Sequence, residues 1–80
     1  MQEQEIYSRL TSIFRDTFDD DSIVLTHNTT AHDIRGWDSA NHINLIVAIE
    51  QEFHIKFKTA ELESLKDVGE MVHLIENKTG

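Results

Sequence analysis

The fold of this chain is decided by residues 36–53, which read GWDSANHINLIVAIEQEF. Asp38 is a residue type that commonly caps a helix N-terminus, and the residues that follow it include neither glycine nor proline. The pattern predicts a helix with Ser39 in its first turn, beside backbone N–H groups that have no partner within the helix. Because that end of a helix carries partial positive charge, Ser39 is well placed to carry a phosphate ester.

The predicted helix has apolar residues on two faces. At about 100° per residue, one face gathers Leu45, Ile46, Ile49 and Phe53, with His42 among them. The opposite face gathers Ala40, Ile43 and Val47, with Asn44 and Glu50 at its edges. We predict that the first face joins the core. The second face fits either a partner surface or the scattered exposed apolar residues that are common in proteins.

The remaining chain supplies three further helical segments. Apolar residues at helical spacing predict an amphipathic helix over residues 3–18. Residues 22–37 lack that periodicity and predict a long loop, pinned by a few buried apolar side chains. A brief helix is predicted from a cap at Thr59, and Asp67 with Glu70 begins a final helix that is expected to fray after Glu76. The predicted fold class is all-α: a small four-helix bundle with a long loop between helices one and two.

Motif, length, acidity and helix order together resemble the acyl carrier protein family. The resemblance is carried by Asp38-Ser39 and by the amphipathic helix that follows it and ends in EQEF, residues 50–53. It extends over nearly the whole chain. It implies a single carrier domain, residues 1–80, with an ordered core over about residues 3–76 and the four-helix bundle of that family.

The resemblance also implies roles for individual residues. Ser39 would carry a covalent 4′-phosphopantetheine arm derived from coenzyme A, and Asp38 would be the motif acid recognised by a phosphopantetheinyl transferase. Partner enzymes would dock on the helix face that comprises Ala40, Ile43, Asn44, Val47 and Glu50. Ala40 stands where the family usually has leucine, and Asn44 where fatty-acid carriers commonly have glutamate. These two departures argue against the general carrier of fatty-acid synthesis.

Composition limits the possible partners and location. The 80 residues include 15 acidic and 7 basic side chains, for a net charge of −8, which disfavours nucleic acid and anionic membranes as partners. No apolar run is long enough to span a membrane, and the N-terminus is not a signal peptide. We therefore expect a cytoplasmic monomer without membrane insertion. The acidity either serves solubility alone or steers the protein toward enzymes with basic docking patches.

The sequence lacks the patterns expected of a catalytic or metal site. Residues 36–40, GWDSA, do not form the G-x-S-x-G turn that exposes a hydrolase nucleophile. There is no cysteine, and the five histidines form no H-E-x-x-H pair, so we expect no metal site. His42 is expected to be hydrogen-bonded and partly buried, and Trp37 to pack against the first loop.

The resemblance to the acyl carrier protein family, together with the missing catalytic patterns, implies a carrier that is not an enzyme. The expected function is an acyl carrier protein that holds an acyl group as a thioester on the arm of Ser39. It would present that group to acyl-loading and acyl-transfer enzymes of fatty-acid, polyketide or related biosynthesis. Because the chain has no cysteine, the reactive thiol would belong to the arm. The alternatives are a peptidyl or aminoacyl carrier of nonribosomal assembly, and an unmodified helical interaction module that uses the Ala40/Ile43/Val47 face.

Overall fold

The structure is a computed structural model that describes residues 1–79. Over these residues it contains four α-helices and no β-strand. The helices are α1 (Glu3–Phe18), α2 (Ser39–Phe53), α3 (Thr59–Glu63) and α4 (Val68–Thr79). The predicted all-α four-helix fold is therefore confirmed, with its long loop between the first two helices. Gly80, the last residue of the predicted domain, lies outside the described residues.

The core is built where α1 packs against α2 and α4. Each of these three helices contributes buried apolar residues at the three- and four-residue spacing of one helix face. From α1 and α2 these are Ile6, Leu10, Phe14, Leu45, Ile46, Ile49 and Phe53. From α4 they are Val68, Met71, Val72 and Ile75. The predicted core face of α2 is therefore confirmed, and its burial orients the rest of that helix.

The long loop, residues 19–38, is anchored by both its side chains and its backbone. Ile23 and Ile34 are buried in the core, as expected of a loop pinned by apolar side chains. The backbone N–H groups of Val68 and Gly69 donate to the carbonyl oxygens of Thr29 (2.9 Å) and His27 (3.0 Å). The first N–H groups of a helix have no partner inside it, so the loop carbonyls satisfy two of those at the start of α4. The loop is thereby fixed to the helix that follows it by about forty residues.

The short helix α3 begins at Thr59, with Lys58 at the N-cap position. The predicted cap at Thr59 is thus displaced by one residue. The Lys58 backbone N–H donates to the Glu61 carboxylate at 2.7 Å. The same carboxylate lies 2.9 Å from the Lys78 Nζ of α4. These contacts, the Lys58 bond foremost, hold the pKa of Glu61 below its ordinary value.

The final helix begins as predicted and ends later than predicted. The Glu70 backbone N–H donates to the Asp67 carboxylate at 2.9 Å, which caps α4. The helix then continues to Thr79, past the expected fraying point at Glu76. The Lys78–Glu61 ion pair ties its last turn to α3, a contact between segments that helical periodicity does not reveal.

Gly69 allows the long loop to approach α4 closely, because a residue without a side chain leaves room for the loop backbone. A Cβ atom at Gly69 would lie 2.9 Å from the His27 carbonyl oxygen. We expect Gly69→Ala to lower the thermal midpoint. Overpacking against the His27 carbonyl costs about 1–3 kcal/mol, whereas the higher helix propensity of alanine stabilises the helix by only roughly 1 kcal/mol. Circular dichroism melts would measure the change. His73→Ala, at an exposed position of the same helix, is the control and should melt close to wild type. A Gly69→Ala protein more stable than wild type would contradict the close approach.

Candidate functional site

The site is organised by the cap at the start of α2. The Asp38 backbone is extended, and its Oδ1 accepts a hydrogen bond from the Asn41 backbone N–H at 2.9 Å. The preceding turn is stabilised by the Asn41 side chain, whose Nδ2 donates to the Gly36 carbonyl oxygen at 2.7 Å. Gly36 has a φ of +89°, a conformation that residues with side chains rarely adopt. The predicted cap is confirmed, and together these contacts make Ser39 the first residue of the helix.

Ser39 is exposed and borders a shallow cleft. We call this the outer cleft; its volume is about 520 Å³, and it is lined by Ala31, Trp37, Asp38, Ser39, His42 and Ile43. Two ionisable side chains therefore adjoin the serine, but each has another partner. Asp38 Oδ1 is occupied by the helix cap, and His42 Nδ1 accepts a hydrogen bond from the Trp37 indole. The arrangement offers an accessible hydroxyl rather than an activated nucleophile.

Trp37 and His42 form a hydrogen-bonded aromatic pair. Trp37 Nε1–H donates to His42 Nδ1 at 3.0 Å, and the rings stack with centroids 6.0 Å apart. His42 is half-buried, so its expected state as a hydrogen-bonded, partly buried residue is confirmed. Trp37 also packs edge-to-face on Phe14 and against Phe18. The Trp37 side chain thus contacts α1 as well as His42 of α2, and the expected packing of Trp37 against the first loop stays a prediction.

The second apolar face of α2 is open to solvent. Ile43 is 65% exposed and Val47 is 46% exposed. Ala40 and Asn44 are exposed beside them. Exposed aliphatic side chains that lie next to one another lower the solubility of a protein, and such patches often bind a partner. The structure therefore presents four of the five predicted partner-binding residues on one free surface.

Glu50, the fifth predicted partner-binding residue, has a structural contact. Its side chain is half-buried, and its carboxylate accepts a hydrogen bond from the Phe57 backbone N–H at 2.9 Å. Its own carbonyl oxygen accepts from the N–H groups of His54 and Ile55. Glu50 thus ties the bridge after α2 to the end of that helix. A role in docking stays a prediction for this residue.

Comparison with known proteins places the chain in a family. The sequence model of the phosphopantetheine attachment site family matches residues 8–75. The acyl carrier protein of Thermotoga maritima is 34% identical over 77 residues, covering 96% of this chain and 95% of that protein. The acyl carrier protein of Lactobacillus acidophilus is 30% identical over 80 residues, covering 100% of both. This chain belongs to the acyl carrier protein family.

The fold agrees with that assignment. A solution NMR structure of the holo acyl carrier protein from Geobacter metallireducens matches with a TM-score of 0.85 and 53% identity, over 90% of this chain and 83% of that one. The prosthetic group of the family is a covalently attached 4′-phosphopantetheine. The resemblance inferred from Asp38-Ser39 is therefore confirmed at the level of family, fold and cofactor. The relatives named acyl carrier proteins favour this function over the peptidyl carrier and the unmodified interaction module.

Residues 1–79 of this acyl carrier family member contain neither a membrane-spanning helix nor a cluster of metal ligands. No helix in that part of the chain is long and apolar enough to cross a membrane. Across the same residues, no cluster of three or more His, Cys, Asp or Glu side chains has the arrangement of a metal site. The cytoplasmic location and the monomeric state stay predictions.

The two faces of α2 can be tested with a matched pair of isoleucines. Ile43 is 65% exposed, whereas Ile46 is 6% exposed, in the same helix. We expect Ile43→Glu to change the free energy of unfolding by no more than about 0.5 kcal/mol, as is usual for surface substitutions. Ile46→Glu buries an unpaired carboxylate and should cost more than about 4 kcal/mol. Urea unfolding of both variants measures the difference. Equal destabilisation by the two substitutions would contradict the assignment of the faces.

Proposed function

We propose that Ser39 is the attachment point of 4′-phosphopantetheine and that the chain is an acyl carrier rather than an enzyme. The observation that carries the proposal is the exposed Ser39 hydroxyl at the first position of a helix capped by Asp38. Its position lies within the residues matched by the attachment-site family, 8–75. An exposed hydroxyl is accessible to a transferase, and the N-terminus of α2 stabilises the negative charge of a phosphodiester.

The residues around Ser39 fit such a group. The outer cleft is lined by both apolar residues, such as Ala31 and Ile43, and polar residues, such as Asp38 and Ser39, a combination suited to an arm that contains both methylene and amide groups. Coenzyme A would donate the arm, and the arm would supply the thiol that the chain, having no cysteine, lacks. The chain itself would provide position and recognition. Asp38 would act both as the helix cap and as an acid recognised by the transferase.

The partners proposed are the phosphopantetheinyl transferase and the acyl-loading and acyl-transfer enzymes of fatty-acid, polyketide or related biosynthesis. Their docking surface would be Ala40, Ile43, Asn44 and Val47, which lie exposed beside Ser39 on α2. These four exposed residues are uncharged, and Glu50, the fifth residue predicted for this face, is half-buried and bound to the Phe57 backbone. We therefore expect contact on α2 to be mainly apolar, while the net charge of −8 acts at longer range on enzymes with basic patches.

Attachment at Ser39 is tested by intact mass. Incubation of the wild-type protein with coenzyme A and a broad-specificity phosphopantetheinyl transferase should add the mass of one arm. Ser39→Ala should add none, because the accepting hydroxyl is gone. Ser12→Ala is the control, since Ser12 is also exposed but lies in the interior of α1, and this variant should still gain one arm. An arm on Ser39→Ala, or none on wild type, would overturn the proposal.

Docking on α2 is tested by the rate of the same modification. Ile43→Glu should lower kcat/KM at least about tenfold, because a charged carboxylate would replace an apolar contact worth about 1.4 kcal/mol or more. Val24→Glu is the matched control: Val24 is 73% exposed but lies on the long loop, and its variant should stay within about twofold of wild type. Ala40→Leu adds three carbons to the docking surface. If the partner buries them at about 0.8 kcal/mol each, the free energy of docking improves by at most roughly 2 kcal/mol. Equal losses in Ile43→Glu and Val24→Glu would place docking elsewhere.

A further inference from the structure

The imidazole ring of His42 has one nitrogen that is bound to the protein and one that is not. Trp37 Nε1–H donates a hydrogen bond to His42 Nδ1 at 3.0 Å. An indole N–H can donate but cannot accept, so Nδ1 is the accepting nitrogen. In the neutral ring the proton therefore lies on Nε2. The hydrogen bond to Trp37 thus makes Nε2–H the donor that His42 has left to offer.

His42 Nε2 is accessible and has no partner among residues 1–79. Within those residues, the side chain of His42 makes one hydrogen bond, through Nδ1. No buried side-chain nitrogen or oxygen in this part of the chain lacks a partner, so Nε2 is in contact with solvent. The carboxylates of Asp38 and Asp67, which line cavities together with His42, each cap a helix. A half-buried donor without a partner is available to a bound group.

His42 lies beside Ser39 on the surface of α2. Residues three apart on a helix are neighbours, with Cβ atoms about 5–6 Å apart, and helical side chains lean toward the preceding turn. Both residues line the outer cleft. The part of an arm nearest Ser39 is therefore the part that His42 can reach. In phosphopantetheine that part is the phosphodiester, whose unesterified oxygens accept hydrogen bonds.

The ring that carries this donor is held in place from its other side. The rings of His42 and Trp37 stack with centroids 6.0 Å apart and an interplanar angle of 19°. The indole packs in turn on Phe14, which is fully buried and whose ring centroid lies 5.3 Å away. A side chain that is already ordered loses little conformational freedom when it binds, so its hydrogen bond is not offset by the cost of ordering it.

We propose that His42 Nε2–H donates a hydrogen bond to the phosphodiester that joins the arm to Ser39, and that Trp37 positions the imidazole for it. The inference rests on the proposed attachment at Ser39 and adds a residue that holds the start of the arm against α2. A hydrogen bond to an ionised acceptor is shorter and stronger than one between neutral groups. His42 and Trp37 are positioning residues here and take no part in bond making or breaking.

The first experiment is nitrogen-15 NMR of the wild-type imidazole rings before and after loading. Spectra are recorded at about pH 8, where histidines are mostly neutral, and intact mass confirms that one arm has been added from coenzyme A. We expect the proton of His42 to lie on Nε2 in both forms. On loading, the Nε2 signal should shift and its proton should exchange more slowly with water. His54 and His73, both exposed and outside the outer cleft, are internal controls whose signals should not move.

Two amide variants of His42 separate the roles of its nitrogens. His42→Gln places an amide nitrogen near the position of Nε2, whereas the shorter amide of His42→Asn reaches only the position of Nδ1 and can still accept from Trp37. The phosphorus-31 signal of the loaded protein reports the phosphodiester. It should stay close to wild type in His42→Gln and move in His42→Asn toward the value of the loaded wild type unfolded in urea. Circular dichroism checks that both variants are folded.

Trp37→Phe tests whether the indole positions the imidazole. This variant keeps an aromatic ring against α1 but removes the N–H that His42 Nδ1 accepts. We expect the Nε2 shift on loading to be smaller than in wild type, because the ring is no longer held in one orientation. A shift of the same size as in wild type would overturn the role assigned to Trp37.

The outcomes separate this inference from the proposed function. Wild type that gains its arm by mass but shows no change at His42 Nε2 would overturn the hydrogen bond and leave attachment at Ser39 intact. This result needs no variant, so it does not depend on the folding of any. Equal phosphorus-31 signals in the loaded Gln and Asn variants would also overturn the hydrogen bond. Wild type that gains no arm would instead overturn attachment at Ser39, and the inference with it, before any spectrum is compared.

Discussion

The hydrogen bond from the Asn41 backbone N–H to the Asp38 carboxylate decides where α2 begins, and the site depends on that start. Because the helix turns about 100° per residue, its starting point and its buried face together set the direction of every later side chain. Leu45 and Ile49 enter the core, while Ser39 and Ile43 remain exposed. A helix that began one residue later would keep the same core face but would make Ser39 the cap instead of the first helical residue. The cap therefore determines where α2 begins, and the core determines which of its faces is buried.

The unpaired N–H groups at the start of α4 impose a second constraint. They are satisfied by the Thr29 and His27 carbonyl oxygens of the long loop, and also by the Asp67 carboxylate. The loop thus gains order from the helix, and the helix gains partners from the loop. No buried side-chain nitrogen or oxygen within residues 1–79 lacks a hydrogen-bond partner, so no buried polar side chain of the long loop is left without a partner. This anchoring holds the segment that leads to the site.

Trp37 connects the core to the site more directly than any other residue. One side of its ring contacts Phe14 in the core of α1, and its indole N–H fixes His42 one turn above Ser39. The Trp37 side chain therefore links α1 to the wall of the outer cleft by direct contact. The same contacts explain why this small domain can maintain a shaped cavity beside an exposed serine.

Local chemistry in the sequence determined the helix over residues 3–18, the cap at Asp38, the two faces of α2 and the Asp67 cap of α4, and with them the four-helix fold. These features could be predicted because helical period and capping involve residues a few positions apart. Only the tertiary structure decided that Trp37 contacts α1, that Glu50 binds the Phe57 backbone, and that Lys78 holds α4 against Glu61. Helical periodicity does not specify those partners, since each contact joins segments outside a single helix and forms only when the helices and their connections have packed. The small cavity beside Trp37 and His42 depends on packing in the same way, because its walls come from the long loop, α2, the segment between α3 and α4, and α4 itself.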